Sequence, residues 1–375
     1  MNKIDKKLQN FIILGQNDCI LDAIVYYNDK KKAKSFFAHN NINVIKELNF
    51  INAFVVCFNP QNILFASKQN FIAYISSIST VETFIDISKK IVGVNKFYKC
   101  EETITFIDTG ISPHFDFTLA KNRIIKFVDF VANKTVAYDD NGHGTFVAGV
   151  ASGRGLLSNQ KFCGIVPNSK IISLKALNKH GEANAVTILE AMEWVLNYKN
   201  KYNINTVCMS FGSEPLGISD PIVKGAEALW DKGVTIVCAA GNSGPNPQTI
   251  KSPAVSKKVI TVGCLDDCRN SNRDLNIHNF KIAEFSSRGP AFGKIKPDIV
   301  APGVDITSCD KDGTYKKMSG TSVATPIVAG LCAIIKNKYP HATPEQIKKF
   351  LLASAIPLGL SKNEQGHGIA NIFNL

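Results

Sequence analysis

Apolar and polar positions along this 375-residue chain change their period several times, and the changes outline its elements. Ile20–Tyr27 reads as a strand and Lys30–His39 as a basic helix. Asn43–Phe50 and Ile51–Phe58 read as two more strands, Pro60–Gln69 as a second helix and Phe71–Ile75 as a last strand. That β-α-β-β-α-β order is the split-βαβ pattern of a small α+β domain. Beyond it, strands are expected near Ile104–Asp108, Ile171–Leu174, Thr206–Met209, Val234–Cys238 and Val259–Val262. The patterns at Ala185–Tyr198 and Pro221–Lys232 read as helices between them, which predicts a parallel sheet with right-handed crossovers in a three-layer α/β fold. A final helix is predicted from Val323 to Lys338, apolar through Ile327, Val328, Leu331, Ile334 and Ile335, stopping before Pro340.

Composition narrows the class without deciding it. At 45% hydrophobic the chain has ample material for a sizeable core and more than one domain. The formal charge of +12 comes from scattered lysines, with no long basic run beyond Lys30-Lys31-Lys32 and no interleaved aromatics. A nucleic-acid partner is therefore not expected. The ten cysteines are scattered singly, and Cys264 and Cys268 have no second half to complete a zinc site. They read as small buried hydrophobes of a reducing compartment. Phe11–Leu14 is too short for a signal segment and no run reaches the length of a membrane span, so a cytoplasmic protein without a membrane partner is expected.

Three short stretches carry candidate chemistry. Met318-Ser319-Gly320-Thr321-Ser322 places a hydroxyl behind small residues at a helix start, where free backbone N–H groups favour negative charge developing on a carbonyl. Thr103–Asp108 reads as a buried strand ending in a carboxylate, on the edge where open α/β sheets carry their sites. Asp139-Asp140-Asn141-Gly142-His143-Gly144-Thr145 is a polar loop that delivers His143 to the start of a helix. Taken singly, Ser322 reads as a cap, Asp108 as a turn residue and His143 as a satisfied structural group. Together, in the order Asp, His, Ser, they point to nucleophilic catalysis.

The segments around Asp108, His143 and Ser322 resemble the three signature blocks of the subtilisin-like serine proteases, the subtilases, which use that chain order. Val237–Gly244 resembles the family block that carries the oxyanion-hole asparagine, here Asn242. Cys208–Gly212, Phe285–Pro290 and Lys296–Gly303 are further matches, and the resemblance runs from about Glu101 to the C-terminus. Phe146 stands where the family usually has a second histidine, and Val323 where it usually has methionine; neither change removes a catalytic group.

The resemblance implies a subtilisin-like α/β domain over 101–375 and a serine endopeptidase needing no metal or organic cofactor for catalysis. It also implies that residues 1–80 form a ferredoxin-like inhibitory prodomain, acting as the chain's own intramolecular inhibitor, with 81–100 as linker and processing region. Peptide or protein substrate would pair with Gly181-Glu182-Ala183 and Ser210-Phe211-Gly212. The latter, with Ala239-Ala240-Gly241, would wall a small, apolar pocket for the side chain before the scissile bond. Glu182 at the rim would favour a basic residue further upstream. Asp116 matches a position that binds structural calcium in secreted relatives, the rest of that site falling in the variable stretch Ser152–Gly164, so calcium stays open. A prodomain without a signal peptide points to the cytoplasmic, AprX-like branch. Two other readings stay open: a processing protease acting on another zymogen, and a prodomain-silenced regulatory or binding pseudoprotease.

Overall fold

Alternation decides the first part of the chain. Strand β1 (Leu21–Tyr27) buries Ala23, Val25 and Tyr27 and turns the residues between them toward the surface. Helix α1 (Lys30–His39), strands β2 (Val44–Leu48) and β3 (Ala53–Phe58), helix α2 (Pro60–Ser67) and strand β4 (Ile72–Ser77) follow. Asp29 and Asn59 cap the two helices by accepting the N–H groups of Lys32 and Asn62. The strands form one antiparallel sheet in the order β2-β3-β1-β4, and the residues between sheet and helices, including Phe37, Phe54, Phe58, Ile63 and Ile72, are fully buried. Strands β2 and β3 are shorter than the sequence predicts. Asn49–Ile51 forms a 3-10 turn and Asn52 adopts φ 53°, a left-handed conformation that asparagine tolerates, while Phe50 is left in solvent. The apolar Phe50-Ile51 pair hid this turn from a reading by pattern.

This computed structural model describes residues 3–5, 8, 9, 12, 21–77, 87–95, 98–119, 121–217, 219–268, 276–373 and 375. The chain divides into two compact units, Met1–Glu82 and Thr83–Leu375. Ile20, most of the Phe11–Leu14 patch and residues 81–86 of the expected linker lie outside the described residues. Residues 87–95, also read as linker, pack into the second unit. A short helix, Ile87–Ile91, leads to Val92 and Val94, which are buried in that unit's core, and Asn371 Nδ2 donates to the Ile91 carbonyl at 3.0 Å.

The second unit is built on an eight-stranded sheet. Its strands are β5 (Thr103–Asp108), β6 (Ile124–Asp129), β7 (Lys170–Lys175), β8 (Ile204–Met209), β9 (Thr235–Ala239), β10 (Ile260–Asp266), β11 (Lys281–Ile282) and β12 (Ile299–Pro302). The main path runs β11-β10-β9-β8-β5-β7-β6, with β12 on β10; every pairing is parallel except β10 with β11. β5 and β9 are buried at every position, as strands covered on both faces must be. Helices α3 (His143–Ser152) and α6 (Thr321–Lys338) pack on each other and on the sheet, while α4 (Ala185–Tyr202) and α5 (Pro221–Asp231) pair and cover β8 and β9. A hairpin of β13 (Ile306–Cys309) and β14 (Tyr315–Met318) and helix α7 (Pro344–Ala353) complete the unit. From β5 the chain lays strands β6 and β7 on one side and β8, β9 and β10 on the other. Strand order reverses at β5, so a crevice opens outside its C-terminal end. Asp108 is the residue that ends β5.

Candidate active site

Close backbone approach brings the carboxylate and the imidazole together. A Cβ on Gly144 would lie 2.2 Å from the Gly110 carbonyl oxygen and 3.2 Å from Asp108 Cβ, so only glycine lets the start of α3 rest on the turn after β5. His143, the first residue of α3, then directs Nδ1 to Asp108 Oδ1 at 2.7 Å. The same oxygen accepts the Thr109 N–H at 2.7 Å, while Oδ2 is buried with no donor among the described residues. Burial alone would push the imidazole pKa down. The charge of Asp108 and its hydrogen bond, with a further pull from Asp139, outweigh burial and hold it above the ordinary histidine value. The His143 side chain keeps 21% of its surface exposed against 2% for Asp108, so the ring opens outward from a sealed carboxylate.

The loop before His143 is held by groups that the sequence reading did not single out. Asp139 Oδ1 accepts Thr109 Oγ1, Asn141 N and Gly142 N, and Oδ2 accepts Thr145 N and Oγ1, all within 3.1 Å. Burial pushes this carboxyl up, but those donors bring it below the usual aspartate range. Thr109 Oγ1 in turn accepts the Gly144 N–H at 2.9 Å. Beneath them Lys175, completely buried, donates to the Thr109 carbonyl at 2.6 Å, Asp140 Oδ1 at 2.7 Å and the Leu177 carbonyl at 3.1 Å. A buried, satisfied cation thus ties the turn after Asp108 to the loop before His143. The one sequence signal for it is a lysine closing the apolar strand Ile171–Leu174.

Ser322 is the second residue of α6; the N-cap is Gly320, so the serine is not the helix cap. Among the described residues neither its hydroxyl nor its backbone N–H has a hydrogen-bond partner. Asn242 Oδ1 accepts the Thr321 N–H at 2.9 Å and Thr321 Oγ1 at 3.0 Å, and Thr321 Oγ1 accepts the Gly241 N–H at 3.2 Å. Anchoring the oxygen fixes the amide and leaves Nδ2 without a partner among the described residues. A Cβ on Gly320 would stand 3.0 Å from Ser322 Oγ and 3.4 Å from Asn242 Nδ2. The two groups therefore border one small space, open because residue 320 has no side chain. No hydrogen bond among the described residues joins His143 to Ser322. Phe146 and Val323, the two departures from the family pattern, are both fully buried as packing residues.

The remaining expected site residues lie on the rims of this region. Gly181, Glu182 and Ala183 are exposed on a loop next to Asn141, whose Nδ2 donates to the Lys179 carbonyl. Asn178 takes up the N–H groups of Gly181 and Glu182 and the Glu182 carbonyl, and the Gly181 carbonyl and the Ala183 amide have no partner among the described residues. Ser210 follows β8, and Phe211 and Gly212 have no backbone partner among the described residues. Ala239 ends β9, and Ala240 and Gly241 lead to Asn242.

Residues 101–373 match the subtilase (peptidase S8) family model. The chain belongs to the subtilase family. It is 43% identical over 272 residues to serine protease AprX of Bacillus subtilis (strain 168), a match covering 66% of this chain and 60% of AprX. The chain thus spans less than two thirds of that relative's length. Subtilisin DY of Bacillus licheniformis is 33% identical, with 72% of this chain and 88% of the relative covered. Among solved structures, sphericase superposes with a TM-score of 0.65 at 26% identity over 78% of this chain and 99% of its own. A cold-adapted subtilisin-like serine proteinase gives 0.58 at 29% identity, covering 74% and 89%.

The calcium position expected from other subtilases does not fit its surroundings here. Asp116 is completely buried, and its carboxylate accepts Gly155 N at 2.7 Å, Leu156 N at 2.8 Å, Tyr315 OH at 3.0 Å and Cys309 Sγ at 3.5 Å. His114 lies 4.0 Å away, its Nδ1 accepting the Asp116 N–H and its Nε2 meeting the Thr314 carbonyl. Calcium requires six or more oxygens, whereas this carboxylate is filled by donors and its neighbours are an imidazole and a thiol. Burial and the Asp116 charge push the Cys309 thiol well up, so it stays protonated as a donor. The cluster of His114, Asp116 and Cys309 works as a hydrogen-bonded staple on the 153–158 turn.

Proposed function

We propose that this chain is a serine endopeptidase with Asp108, His143 and Ser322 as its triad and Asn242 as an oxyanion donor. The observation that carries the reading is the space at Gly320, bordered by a free hydroxyl and a free amide N–H. His143 Nε2 accepts the Ser322 proton as Oγ attacks the scissile carbonyl, a contact that tightens when substrate is bound. Asp108 holds Nδ1 protonated and stabilises the imidazolium. The Ser322 N–H and Asn242 Nδ2 receive the oxyanion, after which water hydrolyses the acyl-enzyme. Gly181, Ala183, Phe211 and Gly212 pair their free backbone groups with the extended substrate on either side. Asn242→Ala is expected to lower kcat by ~10²–10³ with little change in KM, read from steady-state kinetics on a peptide ester. An unchanged kcat assigns the oxyanion to another group.

The first unit acts, in this reading, as a prodomain that inhibits the peptidase and is then removed by autoprocessing. Its separate core and split-βαβ topology support this. The second unit retains Val92, Val94 and Cys100 in its core, so the cut falls before Ser88. Peptide mapping is expected to place the new N-terminus within residues 78–88; a start beyond Val94 overturns the prodomain reading. None of the nine described cysteines forms a disulfide, which supports a cytoplasmic setting. No helix among the described residues is long and apolar enough to cross a membrane.

A further inference from the structure

Lys251 stands between the two segments assigned to the walls of the pocket for the side chain before the scissile bond. Its N–H donates to the Ala240 carbonyl at 2.9 Å. The next residue, Ser252, exchanges both backbone hydrogen bonds with Ser213, at 2.9 and 3.1 Å. Lys251 thereby joins Ala239–Gly241 to Ser210–Gly212. A Cβ on Gly241 would meet Lys251 Cγ at 2.5 Å, and one on Gly212 would meet Lys251 Cβ at 2.7 Å. The methylene stem therefore fills the room that both glycines leave. The ammonium pairs with Glu214, two residues beyond Gly212. That pair is lopsided: the lysine side chain is 17% exposed and the glutamate 79%.

We infer that Lys251 forms the end of this pocket and that the enzyme prefers an acidic side chain before the scissile bond. The inference rests on the peptidase reading of the same site. Glu214 lies mostly in water, where an ion pair is worth little, so it yields easily to another carboxylate. A substrate carboxylate entering between Phe211-Gly212 and Ala239-Ala240 meets the ammonium where the walls exclude solvent, and the charge-assisted bond is stronger there. A basic side chain meets like charge, and an apolar one gains nothing from the ammonium. The small, apolar pocket expected from the sequence lacked this residue. Lys251 reaches the wall segments through its own bond to Ala240 and through the Ser213–Ser252 pairing, neither of which a local pattern reveals.

Four chromogenic peptides, identical except for Glu, Gln, Leu or Lys before the cleaved bond, test the inference. Wild-type kcat/KM for Glu is expected to exceed that for Gln and for Leu by about tenfold or more, the usual range for a hydrogen bond to a charged group. Lys251→Met is expected to move the preference to Leu. Glu214→Gln changes an exposed side chain, so the fold survives, and loss of the competing carboxylate raises the Glu:Leu ratio. Should Lys251→Met not fold, Glu214→Gln decides. A wild-type ratio at or below one, or a ratio that Glu214→Gln leaves unmoved, overturns the inference while the peptidase reading stands. Failure of the wild type to cleave any of the four peptides or denatured casein overturns both.

Discussion

Ser322→Ala is expected to lower hydrolysis of denatured casein by a factor on the order of 10⁶, as when one member of a catalytic unit is deleted. Thermal stability is expected to hold. The serine hydroxyl has no partner among the described residues and the N-cap is Gly320, so removing one half-buried oxygen costs less than about 0.5 kcal/mol. The loss is therefore one of chemistry, visible as unchanged circular dichroism and unchanged melting beside vanished turnover. A small residue is expected, because Asn242 Nδ2 and the backbone N–H at position 322 remain to bind an oxyanion formed by water. The same variant is expected to accumulate at full length if processing is autocatalytic, and His143→Ala is expected to do likewise. Activity within tenfold of wild type would remove Ser322 from the reaction. Loss of activity with trimming intact would keep the triad and assign processing to another protease.

Legibility of the fold in the sequence followed burial. β5, β7, β8 and β9 lie within two residues of their predicted positions, and β10 starts one residue late and runs four residues further, because covered strands must be continuously apolar. The edge strand β6, Ile124–Asp129, was missed: Lys126 and Asp129 interrupt its apolar residues, which form neither a continuous run nor a clean alternation. The four-residue strands β12, β13 and β14 are too short for any period to register. The candidate site divides the same way. Asp108, His143, Asn242 and Ser322 stand in compact motifs, each with glycine nearby to permit close approach. Lys175, Thr109 and Lys251 act through contacts with residues distant in the chain, as when Lys175 reaches back to the Thr109 carbonyl. Such contacts are created by strand order, which the sequence states only indirectly. Asp139 was in view in the motif, but its role as acceptor for five donors appears only once the loop is closed.

Asp108→Asn is expected to lower kcat by ~10⁴ while leaving the backbone in place. The isosteric amide keeps the shape of the side chain, so the turn after β5 survives at the cost of the Thr109 N–H bond, whose acceptor Oδ1 is the same atom that faces His143 Nδ1. What changes is the imidazole. A carboxylate accepts only, so Nδ1 must carry the proton and Nε2 is free to take one from Ser322. An amide presents a donor to Nδ1, shifts the proton to Nε2 and leaves the base in the unproductive tautomer. The pH profile carries a second signature. In the wild type, burial lowers the His143 pKa but Asp108 more than compensates, so the acid limb of kcat/KM is expected above the ordinary histidine value of 6.5. In the variant the compensation is lost while burial remains, and the limb of the residual activity moves to lower pH. Stability follows with a definite sign. Because the folded-state pKa is raised, the charged pair stabilises the wild type fully below the unfolded-state pKa and loses that contribution as pH rises through the folded-state value. The difference in unfolding free energy between wild type and variant, measured by denaturant titration across that range, is therefore expected to shrink with rising pH. A difference that grows with pH, or an acid limb that stays in place, would mean that Asp108 does not set the charge state of His143.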